Sequence, residues 1–348
     1  MVGRPSIVRV GRDAITRRFL YGTVAFGAIA AGALTLTEAP AKADGVCISG
    51  WSIGTGATCT PGSASASLFG ADSASASGSG STGLAVGPHS LASANGTGDH
   101  ATAFGPGNTA IAGGATNGFA VAPSTGTGNA NSGNNATAIG SGNNAVAGTV
   151  APKGSNNSLN DNSSFAFGTG NGAVAGYGGG NGNTVNGSKA VSIGSQNGTD
   201  AGYAYGANNS NITNSTALAF GSQNASGAGV VPNGGTGNTI SNSLSTAVGH
   251  NNFANAGGVY GGSNNTIRNS VANVIGQNNT APFNVGTPAA GGGFSGATTG
   301  SGNTITNDIV NIFGSNSGAA AGVISSNNTT TGNFLSNAFG HNQHTQHP

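Results

Sequence analysis

The sequence predicts an all-β fold, a repetitive parallel β-roll or β-solenoid with short strands and corners rich in glycine and asparagine. A four-residue signature that ends in glycine recurs along most of the chain, and from Gly168 onward most copies are 26 to 28 residues apart. Glycine supplies 66 of 348 residues and charged residues only 5 %, which excludes an ordinary globular surface. A disordered chain is the alternative, but disordered chains are poor in apolar residues, and here 36 % are hydrophobic at regular intervals.

Large side chains alternate within each copy of the signature, which is typical of a short strand with one face toward a narrow core. Glycine and asparagine after the strand supply the positive φ angles of a tight corner, and equivalent asparagines are expected to stack from coil to coil. We interpret one repeat as two successive coils of roughly 13 to 14 residues, about 18 coils in a rod of about 90 Å. The copies are LAVG at 84–87, TAFG at 102–105, TAIG at 137–140, FAFG at 165–168, VSIG at 191–194, LAFG at 218–221, TAVG at 246–249, NVIG at 273–276, NIFG at 311–314 and NAFG at 337–340.

The residue before each closing glycine is predicted to point into the core of the repeats. We expect Ile193→Asp or Phe220→Asp to abolish cooperative unfolding, because each would then bury a charge. The ten predicted core residues are Val86, Phe104, Ile139, Phe167, Ile193, Phe220, Val248, Ile275, Phe313 and Phe339.

Residues 1–43 are predicted to be a signal peptide. An arginine-rich start, an apolar run at 19–36 and Ala-Lys-Ala at 41–43 indicate cleavage between Ala43 and Asp44. The alternative is an N-terminal membrane anchor, against which Pro40 and the cleavage sequence argue. No later segment is apolar for long enough to span a membrane, so the mature chain is expected to be secreted or held at the cell surface.

The pair Arg17-Arg18 before Phe19 is similar to a twin-arginine export signal, although that signal has one more residue between the arginines and the phenylalanine. It favours a bacterial source. Beyond the signal, the pattern divides the chain into an N-terminal cap or low-complexity lead-in at 44–83, a repeat domain at 84–340 and a histidine-containing tail at 341–348.

The two cysteines, Cys47 and Cys59, are predicted to form a disulfide in the cap of an exported protein. A zinc or redox pair is the alternative, but the spacing is not C-x-x-C and no histidine lies near. In the tail, His341, His344 and His347 could bind a metal weakly; we favour a polar tail without a metal.

The mature chain offers little for chemistry or for nucleic acid. After residue 43 it has three basic and six acidic residues, a formal charge of −3, so a basic surface for nucleic acid is not expected. It has no glutamate, its aspartates are scattered, and its histidines lie in no nucleophile motif. We therefore predict neither an enzyme nor a bound cofactor.

The segments ATAIGSGNNAVAG at 136–148, VSIGSQN at 191–197 and LAFGSQNASG at 218–227 resemble the head repeats of trimeric autotransporter adhesins, the YadA-like heads. The resemblance covers 84–340. It implies a left-handed parallel β-roll, a homotrimer in which three chains form one head, and a surface that binds cells or matrix. The coiled-coil stalk and membrane-anchor barrel of that family are not expected from the residues after Gly340.

Two functions follow from these features. The first is an exported, non-catalytic, adhesin-like interaction module that binds cells, matrix or its own copies. The alternative is a structural or coating element of the cell envelope, or an ice- or glycan-binding solenoid. A flat array of outward Thr-x-Thr would favour ice binding, and only the run at 329–331 is apparent in the sequence.

Overall fold

The computed structural model describes residues 45–48, 50–54, 56–117, 120–121, 127–151, 153–204, 207–231, 235–259, 262–279, 292–298, 301–324, 330–332, 335–341 and 344–346. Its described part is all-β: short strands form three long sheets, as predicted for a parallel β-solenoid. The predicted signal peptide and its cleavage site at Ala43 and Asp44 lie outside the described residues, so they stay predictions.

The strands of the N-terminal part are β1 (Gly45–Ile48), β2 (Trp51–Gly54), β3 (Ala57–Cys59), β4 (Ala64–Leu68), β5 (Ser73–Ser77), β6 (Thr82–Val86), β7 (Leu91–Asn95), β8 (His100–Phe104), β9 (Thr109–Gly113), β10 (Thr116–Asn117) and β11 (Ala120–Val121).

The strands of the remaining part are β12 (Ala130–Ser132), β13 (Asn135–Ser141), β14 (Asn144–Val150), β15 (Ser158–Asn160), β16 (Ser163–Thr169), β17 (Gly172–Gly178), β18 (Thr184–Asn186), β19 (Lys189–Ser195), β20 (Gly198–Ala204), β21 (Asn211–Thr213), β22 (Thr216–Ser222), β23 (Ala225–Val231), β24 (Thr239–Ser241), β25 (Leu244–His250), β26 (Phe253–Val259), β27 (Thr266–Arg268), β28 (Val271–Gln277), β29 (Gly292–Thr298), β30 (Thr304–Thr306), β31 (Ile309–Ser315), β32 (Gly318–Ile324), β33 (Thr330–Gly332), β34 (Ser336–His341) and β35 (His344–Gln346).

The first coils have two strands each. Sheet A takes β4, β6 and β8, and sheet B takes β5, β7 and β9. Val86 pairs in parallel register with Phe104, and Ala94 with Ala112, so one coil takes 18 residues. We call this part, residues 57–113, the two-sided region.

From β12 onward each coil has three strands. One coil contributes a seven-residue strand to sheet A, a seven-residue strand to sheet B and a three-residue strand to sheet C, which has eight strands. Gly168 pairs with Gly194, and Gly194 with Gly221, so one coil takes 26 or 27 residues there. We call residues 130–346 the three-sided region.

The predicted coil size is therefore wrong: one repeat is a single coil with three faces, not two coils. Each coil contains an additional three-residue strand in sheet C, and a single corner separates it from the following strand of sheet A. The residues taken for a second coil therefore belong to the same one. Sheet A has 13 strands, which gives a length of about 58 Å rather than 90 Å at about 4.8 Å per step.

Two predicted boundaries also change. Strands β4 and β5 join sheets A and B within the expected lead-in at 44–83, so the regular coils begin before residue 84. The expected tail contains β35, which pairs with β32 in sheet B. The 38-residue step from Gly276 to Gly314 keeps both glycines in register, because the extra residues fall between β28 and β29.

The predicted asparagine stacks at the corners are confirmed. At the corner between sheets A and B, Asn171 Nδ2 donates to the carbonyls of Phe167 and of Gly194 in the next coil, at 2.9 and 2.8 Å. Its Oδ1 accepts from the backbone N of Asn197, at 3.0 Å. Each side chain thus bonds its own corner and the next one. The column comprises Asn108, Asn143, Asn171, Asn197, Asn224, Asn252 and Asn279.

The disulfide between Cys47 and Cys59 is confirmed, with Cα atoms 5.7 Å apart. It joins β1, the second strand of sheet A, to β3 at the edge of sheet B, and β1 pairs in antiparallel fashion with the edge strand β2 and with β4. The N-terminal ends of both sheets are therefore held together covalently, beneath an antiparallel hairpin.

A candidate interaction face on sheet A

The interior between sheets A and B is lined by alanine. On β13, Ala136 and Ala138 are fully buried, and on β14 Ala145 and Ala147 face them in the same cluster. At Gly83, even a Cβ atom would collide with the carbonyl oxygen of Ser75 on the opposite sheet. The gap between these sheets is thus filled by small side chains over most of its length, and it admits larger ones, Val274, Val310 and Ile312, only in the C-terminal coils.

The bulky residues of the signature therefore point outward, and the predicted core is wrong. Phe104, Phe167 and Phe339 are 54, 47 and 61 % exposed, and Ile275 and Phe313 about 40 %. Alternation along a strand identifies two faces but not which one is inside, and here the smaller residues fill the interior. The other five predicted core residues, Val86, Ile139, Ile193, Phe220 and Val248, are half-buried on the same outer face.

These ten residues form one continuous line. Each is in register with the next, as Ile139 is with Phe167 and Phe220 with Val248. Phe313 and Phe339 stack with ring centroids 5.3 Å apart. We call this line the apolar column: Val86, Phe104, Ile139, Phe167, Ile193, Phe220, Val248, Ile275, Phe313 and Phe339.

The outer face of sheet A is widened by a second outward line two residues earlier, which includes Leu84, Phe165, Val191 and Leu218. Charges are sparse, since Lys189, His100 and His250 are the charged or ionisable side chains described on the outer side of these strands. An exposed apolar surface of this extent on a soluble protein is typical of an interaction site.

The closing glycine beside the apolar column is required by the backbone. Gly140, Gly168 and Gly194 have φ angles of 117, 117 and 123°. A Cβ at any of them would collide with the carbonyl oxygen of the equivalent glycine in the next coil. This close approach explains why the signature ends in glycine, and it fixes the spacing of the column.

The outer face of sheet C is hydroxyl-rich. Its strands have a buried middle residue between two half-buried or exposed polar ones, as in Thr239–Ser241 and Thr304–Thr306. Thr239, Thr266 and Thr304 are in register, and so are Ser241, Arg268 and Thr306. The sequence interpretation missed this array, because the topology, rather than the spacing along the chain, brings the residues together.

Three aspartates have raised pKa values: Asp99 and Asp308 are fully buried, and Asp200 is half-buried with one carboxyl oxygen enclosed. Burial raises the pKa of Asp200 to about 8 and that of Asp308 to about 7, and it also raises the pKa of Asp99. Each has one carboxyl oxygen without a hydrogen bond. They lie on different coils, and the described residues contain no group of three His, Cys, Asp or Glu side chains close enough to share a metal.

The three tail histidines, for which a polar tail was preferred to a metal site, are only partly described by the structure. The backbones of His341 and His344 belong to β34 in sheet A and β35 in sheet B, and His347 lies outside the described residues.

Comparison of the chain with family models, with curated proteins and with solved structures gave no match. Within the described ranges, no helix is long and apolar enough to cross a membrane.

Proposed function

We propose that this protein is an exported, non-catalytic interaction module whose contact surface is the outer face of sheet A, and that its first partner is a second copy of itself. The observation that supports this proposal is the apolar column, ten coils long and nearly free of charge. Adhesion to cells or matrix, the role implied by the adhesin resemblance, would then belong to the assembled form.

The repeat spacing favours a second copy as the partner. Side chains along the column recur at about 4.8 Å, the separation of neighbouring strands, and only a surface with the same repeat can match them over the whole length. Another solenoid of this sequence has that spacing. Lys189 is the one permanently charged side chain described on this face, so the electrostatic repulsion between two copies is small.

The size of the face is sufficient for a stable contact. Nine steps of about 4.8 Å and three outward positions about 6.8 Å apart give a patch of roughly 43 by 14 Å, or about 600 Å² per copy. Two such patches bury about 1,200 Å² in total, at the lower end of the range for specific protein interfaces.

Light scattering coupled to size exclusion tests the proposal. The purified chain should have a mass of two or more copies, and Phe167→Ser with Phe220→Ser should reduce it to one copy without loss of the fold. The control is Phe253→Ser on sheet B, where a half-buried phenylalanine is removed elsewhere. A single-chain mass for the unmodified protein at high concentration would overturn self-association.

A second candidate function, binding to ice or to a glycan, is favoured by the hydroxyl array on sheet C. Its outward threonines recur at about 4.8 Å along the axis, so a ligand with a regular lattice of oxygens would suit it. Slower recrystallisation of ice, or retention on an insoluble polysaccharide, would support it. The effect should be lost in Thr239→Lys with Thr304→Lys and kept in Thr102→Lys on sheet A.

A further inference from the structure

Asp99 occupies a position that asparagine fills in the next two coils. His100 pairs in register with Asn135, and Asn135 with Ser163, so the residues just before them, Asp99, Asn134 and Asn162, stand at the same corner. All three side chains are fully buried. Asp99 is the one of the three that belongs to the two-sided region, so it lies where the two regions join.

The two asparagines make the same pair of contacts. The Oδ1 of Asn134 accepts from the backbone N and the Nδ2 of Asn162, both at 3.1 Å. The Nδ2 of Asn134 donates to the carbonyl of Leu159, three residues before Asn162, at 3.0 Å, and Asn162 Nδ2 donates to Val185 in the same way. One oxygen accepts and one nitrogen donates at each corner.

Asp99 reproduces the accepting half of this pattern. Its Oδ1 accepts from the backbone N and Nδ2 of Asn134, at 2.8 and 3.1 Å. Its Oδ2 therefore stands where Asn134 and Asn162 have the donating nitrogen. The carbonyl that this nitrogen would reach lies three residues before Asn134 and belongs to Asn131. Oδ2 has no hydrogen-bond partner.

Asp99 Oδ2 and the carbonyl oxygen of Asn131 border the same small space beside Gly96. A Cβ built on Gly96 would touch both Oδ2 and the carbonyl oxygen of Asn131, and one built on Gly113 would touch Oδ2 and the carbonyl oxygen of Asn95. If Asp99 were ionised, its buried Oδ2 would lie near two carbonyl oxygens and have no donor of its own, which is unfavourable.

We infer that Asp99 stays a neutral carboxylic acid in the folded protein above the pH at which an aspartate ordinarily ionises, and that its hydroxyl donates to the Asn131 carbonyl. The proton completes the corner in place of the missing amide hydrogen. It also makes the junction between the two regions sensitive to pH, since removal of the proton converts this hydrogen bond into repulsion.

Few other ionisable groups act on this site. The strands packed around it, β6, β7, β9, β12 and β13, have no ionisable side chain. On its own strand, His100 is exposed and its Nδ1 lies 2.7 Å from Thr82 Oγ1. Burial raises the pKa of Asp99, while the hydrogen bonds from Asn134 and the charge of His100 act in the opposite direction.

The sign of the pH effect follows from the raised pKa. The folded protein holds the proton above pH 3.8, the ordinary value, at which the unfolded chain releases it. Stability from this corner is therefore complete below pH 3.8 and is lost as the pH rises through the folded-state pKa.

Carbon-13 NMR of the full chain, labelled at its seven aspartate carboxyls, tests the protonation directly. The resonance that disappears in Asp99→Asn should titrate with a midpoint well above 3.8. A midpoint at or below 3.8 would overturn the inference. Failure of Asp99→Asn to fold would also overturn it, because the inference requires asparagine to fit as it does at Asn134.

Unfolding midpoints at pH 5 and pH 8 test the consequence. Asp99→Asn should match the unmodified protein at pH 5 and exceed it at pH 8, whereas Asp161→Asn, at an exposed residue beside Asn162 two coils further on, should show no such change. An equal difference at both pH values would contradict the inference. If calcium raised the unfolding midpoint of the unmodified protein at pH 8 but not that of Asp99→Asn, a bound cation rather than a proton would neutralise Asp99, and the inference would be wrong.

Discussion

The two-sided and three-sided regions share sheets A and B but differ in what fills them. Between those sheets, the interior is mostly alanine in both regions, as at Ala103 and Ala219, with Val274, Val310 and Ile312 added in the C-terminal coils. The three-sided region adds a second core, in which Ile212, Ile240 and Ile267 of sheet C pack against the ends of sheet B strands such as Val231. Burying an isoleucine contributes about 1.5 to 3 kcal/mol, and an alanine much less. The third face therefore supplies most of the apolar stabilisation.

The two-sided region compensates in another way. At its N-terminal end it adjoins the antiparallel hairpin of β1 and β2, to which the disulfide ties its first strand, β3. Its corners also use serine, such as Ser90, which donates one hydrogen bond to the carbonyl of Gly87 at 2.7 Å. A narrow roll with an alanine interior is thus held by its covalent end and by backbone pairing.

The largest effect on stability is expected from a charge in the isoleucine core beneath sheet C. Ile240→Asp should unfold the three-sided region, because a charge buried without a partner costs more than about 4 kcal/mol. Ile193→Asp, on the outer face of sheet A, should keep a cooperative transition, the reverse of the sequence-based expectation. Chemical denaturation followed by circular dichroism measures both. Equal loss of structure in the two variants would show that the apolar column is internal.

Removal of the disulfide should affect the two-sided region most. A closed loop of this length contributes about 3 kcal/mol in the loop-entropy model. Cys47→Ser with Cys59→Ser should therefore speed amide exchange in β4 to β7 and leave β22 to β28 protected. Uniformly faster exchange along the whole chain would show that the regions unfold as one unit.

Loss of a corner asparagine should cost more in the three-sided region than loss of a corner serine in the two-sided one. Asn197 bonds Ile193, Gly221 and the backbone N of Asn224, so Asn197→Ala leaves buried partners unpaired, at about 1 to 3 kcal/mol for each. Ser90→Ala should cost about 1 kcal/mol, because one hydrogen bond is lost. Urea midpoints distinguish the two, and similar values would contradict the role given to the asparagine column.

The smallest expected effect is a pH dependence specific to the three-sided region. Burial raises the pKa of Asp308 from 3.8 to about 7, so its contribution to stability is complete below pH 3.8 and is lost as the pH rises to about 7. Asp308→Asn should therefore reduce the fall of the thermal midpoint between pH 4 and pH 8. An unchanged fall would show that the proton on Asp308 has no part in stability.

Much of the fold was predictable from local residue chemistry. Asparagine and glycine at recurring corners indicated a stacked coil, and the closing glycines are required by the close approach of neighbouring backbones, as at Gly221 and Gly249. The pairing of Cys47 with Cys59 followed from an exported chain with two cysteines.

The direction of the side chains was not predictable from alternation alone. A strand such as Val191-Ser192-Ile193 has a large residue on one face and a small one on the other, and the inward face is decided by the distance between sheets. The three-residue strands were missed for a similar reason: in Thr304–Thr306 the buried Ile305 is a single residue, too short a signal for periodicity. The candidate face on sheet A followed only when both errors were corrected.

The most direct test of this account is the accessibility of two neighbouring positions on β19. Cysteine is placed at residue 192 or 193, and its modification by a maleimide is timed at a dilution where light scattering gives the mass of one chain. We expect rapid modification of Ile193→Cys and protection of Ser192→Cys, because the native Ser192 is fully buried. Protection at residue 193 with rapid modification at residue 192 would contradict it, because the apolar column would then line the interior.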